Sequence, residues 1–294
     1  MKNKILVIIG PTATGKSDIA INLARQFNGE IISADSRQVY KKLDIGSGKV
    51  TKEEQKLAKH YLLDIVSPKQ QFSVAEYQKL ANKTIKKIQS HKKLPIICGG
   101  SPMYIISVLE GWQFPKTKTN LKLRKRLESK SLDELLSELK KLDPTRAETI
   151  EQKNKRRLVR ALEIIYLNGE VKPLIKKPIN ADILILSTKK EKEALKELIK
   201  SRLDRRLNEN MIQEVANLKK QGIPSQRLED LGLEYRYINQ YLDKKISYTE
   251  MYDILSKKIV DFSKRQITWF KTFPNVRYIQ NQEEATKLTK DWII

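Results

Sequence analysis

The sequence predicts an α/β protein, a doubly wound parallel sheet carrying an all-helical insertion, and three observations predict it. Short apolar runs alternate with helix-patterned stretches over the first 115 residues, the texture of parallel strands joined by helical crossovers. From about Lys116 to Lys177 the chain turns charged and helical, with no strand run. A β-type run, ADILILS at 181–187, then resumes the sheet. The expected organisation is a core of residues 1–115 and 178–294 around an insertion of residues 116–177.

Each element follows in order. ILVII (5–9) is apolar throughout, as a strand covered on both faces must be. Lys16 to Phe27 has helical periodicity. EIISA (30–34) reads as a buried strand ending at Asp35. Ser73-Val74-Ala75-Glu76 is a capping box that opens a long helix towards His91. LPIICGG (94–100) is a third strand ending in glycines. Beyond the insertion, Lys189 to Lys220 and Ile246 to Phe273 read as helices, with NVRYI (275–279) as a late strand. In such a sheet, functional loops belong at the C-terminal strand ends: residues 10–17, Asp35-Ser36 and Gly99-Gly100-Ser101.

Composition narrows the function classes. The net charge of +23 comes from 58 basic and 35 acidic residues. Lysine and arginine neutralise phosphates and release counterions, so a polyanionic partner, nucleic acid, is the functional reading; the alternative is a lysine-rich solvated surface. Residues 1–115, 116–177 and 178–294 carry +9, +9 and +5, so basicity is densest in the insertion. No apolar run approaches the ~18–20 residues of a membrane span. The start, MKNK followed directly by a strand, has no secretory apolar region. One cysteine, Cys98, allows neither an internal disulfide nor a zinc cluster. A soluble, cytoplasmic monomer is expected.

The strongest motif is GPTATGKS, Gly10 to Ser17, which fills every fixed position of the phosphate-cradling pattern G-x-x-x-x-G-K-[ST] between a strand and a helix. Backbone N–H groups of Thr12, Ala13, Thr14, Gly15, Lys16 and Ser17 would form an anion nest at a helix N-terminus. Lys16 would reach the terminal phosphate, and the Ser17 hydroxyl would face Mg²⁺. Such a loop, taken alone, fits ATP or GTP; what it specifies is phosphate. ADSRQVY (34–40) places Asp35 at a strand end beside the cradle, where it would hold Mg²⁺ or act as a general base. Ser36 adds a hydroxyl, and the Gln38 amide suits an adenine edge.

Arginines cluster twice. Lys155-Arg156-Arg157-Leu158-Val159-Arg160 lies in the insertion, and Arg202, Arg205 and Arg206 follow the returning strand. On a helix, Arg202 and Arg206 share a face and would clamp diphosphate or line an RNA groove; for either cluster alone, a solvated face explains the charges as well. KRQITWFK (264–271) interleaves basic residues with Trp269 and Phe270, either a base-stacking patch or a core tryptophan with a basic face. His60 and His91 match no triad or metal spacing and are read as structural.

GPTATGKS, ADSRQVY, GGSPMY (99–104), RRLVRALE (156–163), GLEYR (232–236) and KRQITWF (264–270) occur in one order. Together they resemble the bacterial tRNA dimethylallyltransferases, or isopentenyl-diphosphate:tRNA transferases, over nearly the whole chain. The resemblance implies a P-loop NTPase-like core whose helical insertion grips the anticodon stem-loop. It implies transfer of a dimethylallyl group from dimethylallyl diphosphate, with Mg²⁺, to the adenine amine just 3′ of the anticodon. Carried over by position, Gly10, Pro11 and Thr12 to Ser17 would hold the diphosphate together with Arg206. Asp35 would be the general base. Asp35, Ser36, Arg37, Gln38, Ser101, Arg124 and Arg156 to Arg160, including Leu158 and Val159, would meet the tRNA. The sequence departs from the family at Ser101, where threonine is usual, and in a shorter spacing between Arg206 and Glu214. A kinase of a nucleoside or small metabolite, a prenyltransferase of free adenine nucleotides and a non-catalytic RNA-binding protein are the rivals. The first accounts for the loop, Asp35 and the arginines but not for the charge or the downstream motifs.

Overall fold

The computed structural model describes residues 3–115 and 120–294. Within those residues the chain divides into a large unit, Met1–Gly111 with Pro178–Ile294, and a small unit, Trp112–Lys177.

The strands, in chain order, are β1 (Lys4–Ile9), β2 (Gly29–Ser33), β3 (His60–Tyr61), β4 (Leu94–Cys98), β5 (Trp112–Gln113), β6 (Ile175–Lys176), β7 (Asp182–Thr188) and β8 (Val276–Ile279). Six of them form the sheet of the large unit, in the order β3-β2-β4-β1-β7-β8, with every pairing parallel. β1 is central. The chain leaves it towards β2 and β3 on one side and reaches β7 and β8 on the other, so the order reverses there. The loops after β1, β2 and β4 therefore open on one rim, where such sheets bind ligands.

The apolar run of β1 is explained by its two covered faces. Ile5, Val7 and Ile9 point into one core layer and Leu6 and Ile8 into the other, and all five are buried. Helices Val74–Ser90, Pro102–Leu109, Lys192–Asn208 and Tyr248–Phe270 fill the first layer. Helices Lys16–Gln26 and Gln282–Ile293 cover the second. Each buried aliphatic side chain contributes about 1.5–3 kcal/mol. The capping box is present: Ser73 Oγ accepts from the Glu76 amide, and the Glu76 carboxylate accepts from the Ser73 amide at 2.8 Å.

Three elements differ from the sequence expectation. The segment read as one helix, Lys189 to Lys220, is two, Lys192–Asn208 and Met211–Lys220, broken at Asn210 with φ +70°. Asparagine adopts that left-handed conformation at little cost, and a helix cannot continue through it. Two helices, Ser225–Leu231 and Leu233–Leu242, occupy a stretch left unassigned. The charged middle segment does contain a strand, because β6 pairs antiparallel with β5.

The small unit has its own core. Helices Leu121–Glu128, Leu132–Leu142, Pro144–Thr149 and Lys155–Asn168 enclose Leu127, Leu135, Leu139, Leu158, Leu162 and Ile165. Lys116 and Lys118, counted with its basic residues, lie outside the described residues.

Candidate active site

The phosphate cradle forms as the sequence requires, and its shape has identifiable causes. β1 ends at Ile9, the loop turns at Gly10 with φ +144°, and the helix starts at Lys16. A side chain at Gly10 would overlap Thr188, since a Cβ there falls 2.1 Å from Thr188 Oγ1. Thr188 ends the neighbouring strand β7, and its hydroxyl meets Thr14 Oγ1 at 2.6 Å. The Thr14 hydroxyl also donates to the Pro11 carbonyl at 2.9 Å. Ala13 holds φ +64°, the local strain that a backbone nest demands. At rest the Lys16 ammonium folds back onto the Pro11 carbonyl at 2.5 Å. Burial pushes the Lys16 pKa down to about 8, and neighbouring Arg202 pushes the same way.

Thr12 is gripped twice. Its amide donates to Gln266 Oε1 at 2.9 Å, and its hydroxyl accepts from Arg202 Nη1 at 2.9 Å. Gln266 also donates to the Gly100 carbonyl at 2.7 Å, tying the loop after β1 to the loop after β4. The Thr12 amide, expected in the anion nest, is therefore spent on Gln266. Gln266 belongs to the KRQITWF run, where the aromatic residues drew the attention. Of those, Phe270 is buried and Trp269 is exposed.

Asp35 lies two residues beyond β2. Its Oδ1 accepts from the Arg37 amide at 2.8 Å, which fixes the carboxylate's orientation. Oδ2 has no hydrogen-bond partner among the described residues. The Ser36 amide donates to Ser101 Oγ at 2.9 Å, so the loops after β2 and β4 are locked together. Gln38 is used internally. Its amide carbonyl accepts from Ser33 Oγ at 3.0 Å and its NH₂ donates to the Gly48 carbonyl at 3.0 Å, so both ends already carry one bond within the fold.

Helix Lys192–Asn208 delivers the arginines. Arg202 and Arg206 share one face, while Arg205 turns outward to Glu209. Arg202 touches the phosphate loop; Arg206, 7% exposed, lies one turn further along and donates to the Gly46 carbonyl and Glu234, both at 3.4 Å. Gly48, at φ +59°, packs against both guanidiniums: a Cβ there would fall 1.6 Å from Arg206 Nη2 and 2.1 Å from Arg202 Nη2. Burial and the adjacent Arg206 charge push the Arg202 pKa down to about 10. Among the described residues only Arg206 has a carboxylate within ion-pair distance, Glu234, while Arg202 has none, an arrangement suited to an added anion. Cys98 is inert, since burial raises its thiol to about 12.

In the small unit, Glu163 is fully buried and organises the basic cluster. Its Oε2 accepts from Arg124 at 2.5 Å and from Arg160 at 2.7 Å, and its Oε1 accepts from the Asn120 amide at 3.0 Å. Burial alone would raise the carboxyl's pKa; the arginine hydrogen bonds outweigh it and hold the group below its ordinary range. Arg157 is exposed beside Glu151 at 3.3 Å. Leu158 and Val159, expected among the RNA contacts, are buried in this unit's core, so their side chains face away from solvent. The helical repeat forces this: with Arg156, Arg157 and Arg160 outward, the residues between them turn in. His60 packs in place, its Nδ1 paired with the Ala58 carbonyl.

A strand, a nest, a helix, a lysine and neighbouring guanidiniums on one sheet rim define a P-loop-type protein. The sequence model of the IPP transferase family matches residues 38–273, and the chain belongs to that family. The tRNA dimethylallyltransferase of Alkaliphilus oremlandii is 37% identical, over 99% of this chain and 96% of the relative. That of Anoxybacillus flavithermus is 39% identical, over 97% and 93%. The crystal structure of a tRNA isopentenylpyrophosphate transferase from Bacillus halodurans superposes with a TM-score of 0.74 at 32% identity, covering 99% of this chain and 95% of that one. The corresponding transferase of Staphylococcus epidermidis gives 0.73 at 34% identity, covering 99% of each. No helix among the described residues is long and apolar enough to cross a membrane.

Proposed function

We propose that this protein transfers a dimethylallyl group from dimethylallyl diphosphate to the N6 amine of the adenosine 3′-adjacent to the tRNA anticodon, releasing diphosphate. The observation that carries the reading is the rim itself. In a chain of the IPP transferase family, a phosphate cradle lies against the Arg202 guanidinium, with Arg206 one turn further along, and shares its rim, through locked loops, with the Asp35 carboxylate.

The residues divide the chemistry. The allylic C–O bond breaks, positive charge grows on carbon, and negative charge gathers on the departing diphosphate. The amides from Ala13 to Ser17, the Lys16 ammonium, Arg202 and Arg206 take up that negative charge. The Ser17 hydroxyl has no hydrogen-bond partner among the described residues and stands at the helix start, which fits one ligand of an ion that keeps most of its waters. Mg²⁺ held by Ser17 would add charge opposite the leaving group. The adenine amine is a weak nucleophile that must lose a proton as it bonds. The unpartnered Oδ2 of Asp35 accepts it, which typically contributes 10²–10⁴-fold. The target base leaves its stack to reach this group, as base-modifying enzymes require. Ser36, Arg37 and Ser101 meet the RNA near the base, and Arg124, Arg156, Arg157 and Arg160 hold the stem-loop through its phosphates. We place the reaction in the cytoplasm, where its tRNA substrate is, and assign it to a monomer.

The test is direct. Purified protein, unmodified tRNA, Mg²⁺ and dimethylallyl diphosphate are incubated, and the digested nucleosides are weighed. The expected product is an adenosine heavier by one dimethylallyl group. An unmodified adenosine pool, with turnover of ATP on a nucleoside instead, overturns the reading in favour of a kinase.

A further inference from the structure

We propose that Glu214 is a positioning residue for the diphosphate-binding arginines, acting through the loop at residues 43–49; the inference rests on the diphosphate reading of Arg202 and Arg206. Glu214 lies in the first turn of helix Met211–Lys220, which the left-handed Asn210 starts in a new direction after helix Lys192–Asn208. Its carboxylate collects four donors. Oε2 accepts from the amides of Asp44 at 2.8 Å and Ile45 at 2.7 Å. Oε1 accepts from the amide of Gly46 at 3.0 Å and the Tyr235 hydroxyl at 2.9 Å. No cation pairs with Glu214 among the described residues, so its hydrogen bonds go to three amides of this loop and to the Tyr235 hydroxyl that packs on it. Tyr235 is fully buried, and its ring closes on Gly46, where a Cβ would fall 2.8 Å from the hydroxyl oxygen.

What the loop does next gives the clamp its purpose. The Gly46 carbonyl accepts from Arg206, and Gly48 presents a bare Cα to both guanidiniums. The Gly48 carbonyl is held by Gln38, one residue from Arg37 and three from Asp35. On the far side, the buried Lys49 ammonium donates to the Tyr40 carbonyl at 2.9 Å and to Asp44 and Asp64 at 2.6 Å. A segment without regular structure is thus fixed at both ends, and the surface between the fixed points is the one the arginines rest on. Like charges repel side by side, and a rigid backbone wall keeps the pair together for an incoming anion. The clamp needs an acceptor-only group: three amides and a hydroxyl converge on it, and a carboxamide would turn its own NH₂ against at least one of them.

The experiment uses the full chain, with inorganic diphosphate as the probe in calorimetry and dimethylallyl diphosphate in kinetics. Glu214→Gln is expected to weaken diphosphate binding and raise the donor KM by about tenfold or more, with the tRNA Kd unchanged. Glu214→Asp, which keeps the charge, should recover part of the loss. In a protein already carrying Arg202→Ala and Arg206→Ala, Glu214→Gln should produce no further loss, because the residue acts through those side chains. An equal loss in that background makes Glu214 a structural residue only and overturns the proposal. Unchanged diphosphate affinity in Glu214→Gln overturns it too, while Arg206→Ala still weakening the probe leaves the diphosphate reading standing. Intact diphosphate binding without both arginines sinks that reading itself. Should Glu214→Gln not fold, Tyr235→Phe removes one of the four donors and decides: a donor KM equal to the parent's overturns the clamp, and a rise supports it.

Discussion

Arginine is put to opposite uses in the two units. On the sheet rim, Arg202 and Arg206 lie together, and among the described residues one carboxylate, Glu234, meets Arg206 at 3.4 Å. In the small unit, one buried carboxylate, Glu163, serves Arg124 and Arg160 at 2.5 and 2.7 Å and a backbone amide as well. In the first pair Arg202 has no carboxylate within ion-pair distance among the described residues, and we propose that an anion completes the pair. In the second, both guanidiniums hydrogen-bond the same buried carboxylate, which ties helices Leu121–Glu128 and Lys155–Asn168 together. Net charge does not distinguish these cases. How many of the guanidiniums reach the acid does: one on the rim, two in the small unit.

The contrast can be broken most sharply at the cradle. Lys16→Ala should lower kcat/KM by about 10³-fold, the cost of removing a preorganised donor from a developing anion, measured in single turnovers with saturating tRNA. Asp35→Asn should keep tRNA binding, read by filter retention, and lose at least about 10²-fold in rate; near-normal turnover would remove Asp35 from the base role. In the other unit, Glu163→Gln should cost stability rather than chemistry. Leaving two guanidiniums without their carboxylate costs about 3 kcal/mol, the low end for buried pairs, because both arginines keep part of their hydration. Hydrogen exchange should show that loss within residues 120–177, with diphosphate affinity unchanged. Because the Glu163 carboxyl is held below its ordinary range, its contribution is complete above the unfolded carboxylate's pKa and disappears as pH falls through the folded value.

Finer tests sharpen the rim. Gly48→Ala forces a methyl into the guanidinium pair at positive φ and should weaken diphosphate binding by about tenfold. With Lys16 at about 8 in the free protein, diphosphate affinity should be full below that pH and decline above it as the ammonium loses its proton. Titration calorimetry across that range reads the effect, and Lys16→Ala should flatten it.

The cradle was legible because its residues are contiguous: GPTATGKS states the strand, nest and helix in one run. The β1 run was legible because burial on both faces leaves only apolar residues. The partners that shape the cradle were not. Thr188, Gln266 and Arg202 lie far along the chain from residues 10–17, and nothing in their local sequence states the contact. Glu214 entered the sequence reading only through its spacing from Arg206, and its role exists only once the loop at residues 43–49 is folded against it. Leu158 and Val159, expected among the RNA contacts, turn their side chains into the small unit's core. A basic motif was read as a block, while the helix sorts its residues by direction.

The central claim is that a cradle usually associated with phosphoryl chemistry here holds a leaving diphosphate while carbon–oxygen cleavage occurs. It is tested by running the reaction on tRNA with dimethylallyl diphosphate carrying a heavy oxygen isotope at the bridging position. The account predicts that all of the label leaves with the released diphosphate. Label retained on the five-carbon fragment would mean phosphorus–oxygen cleavage and would contradict it.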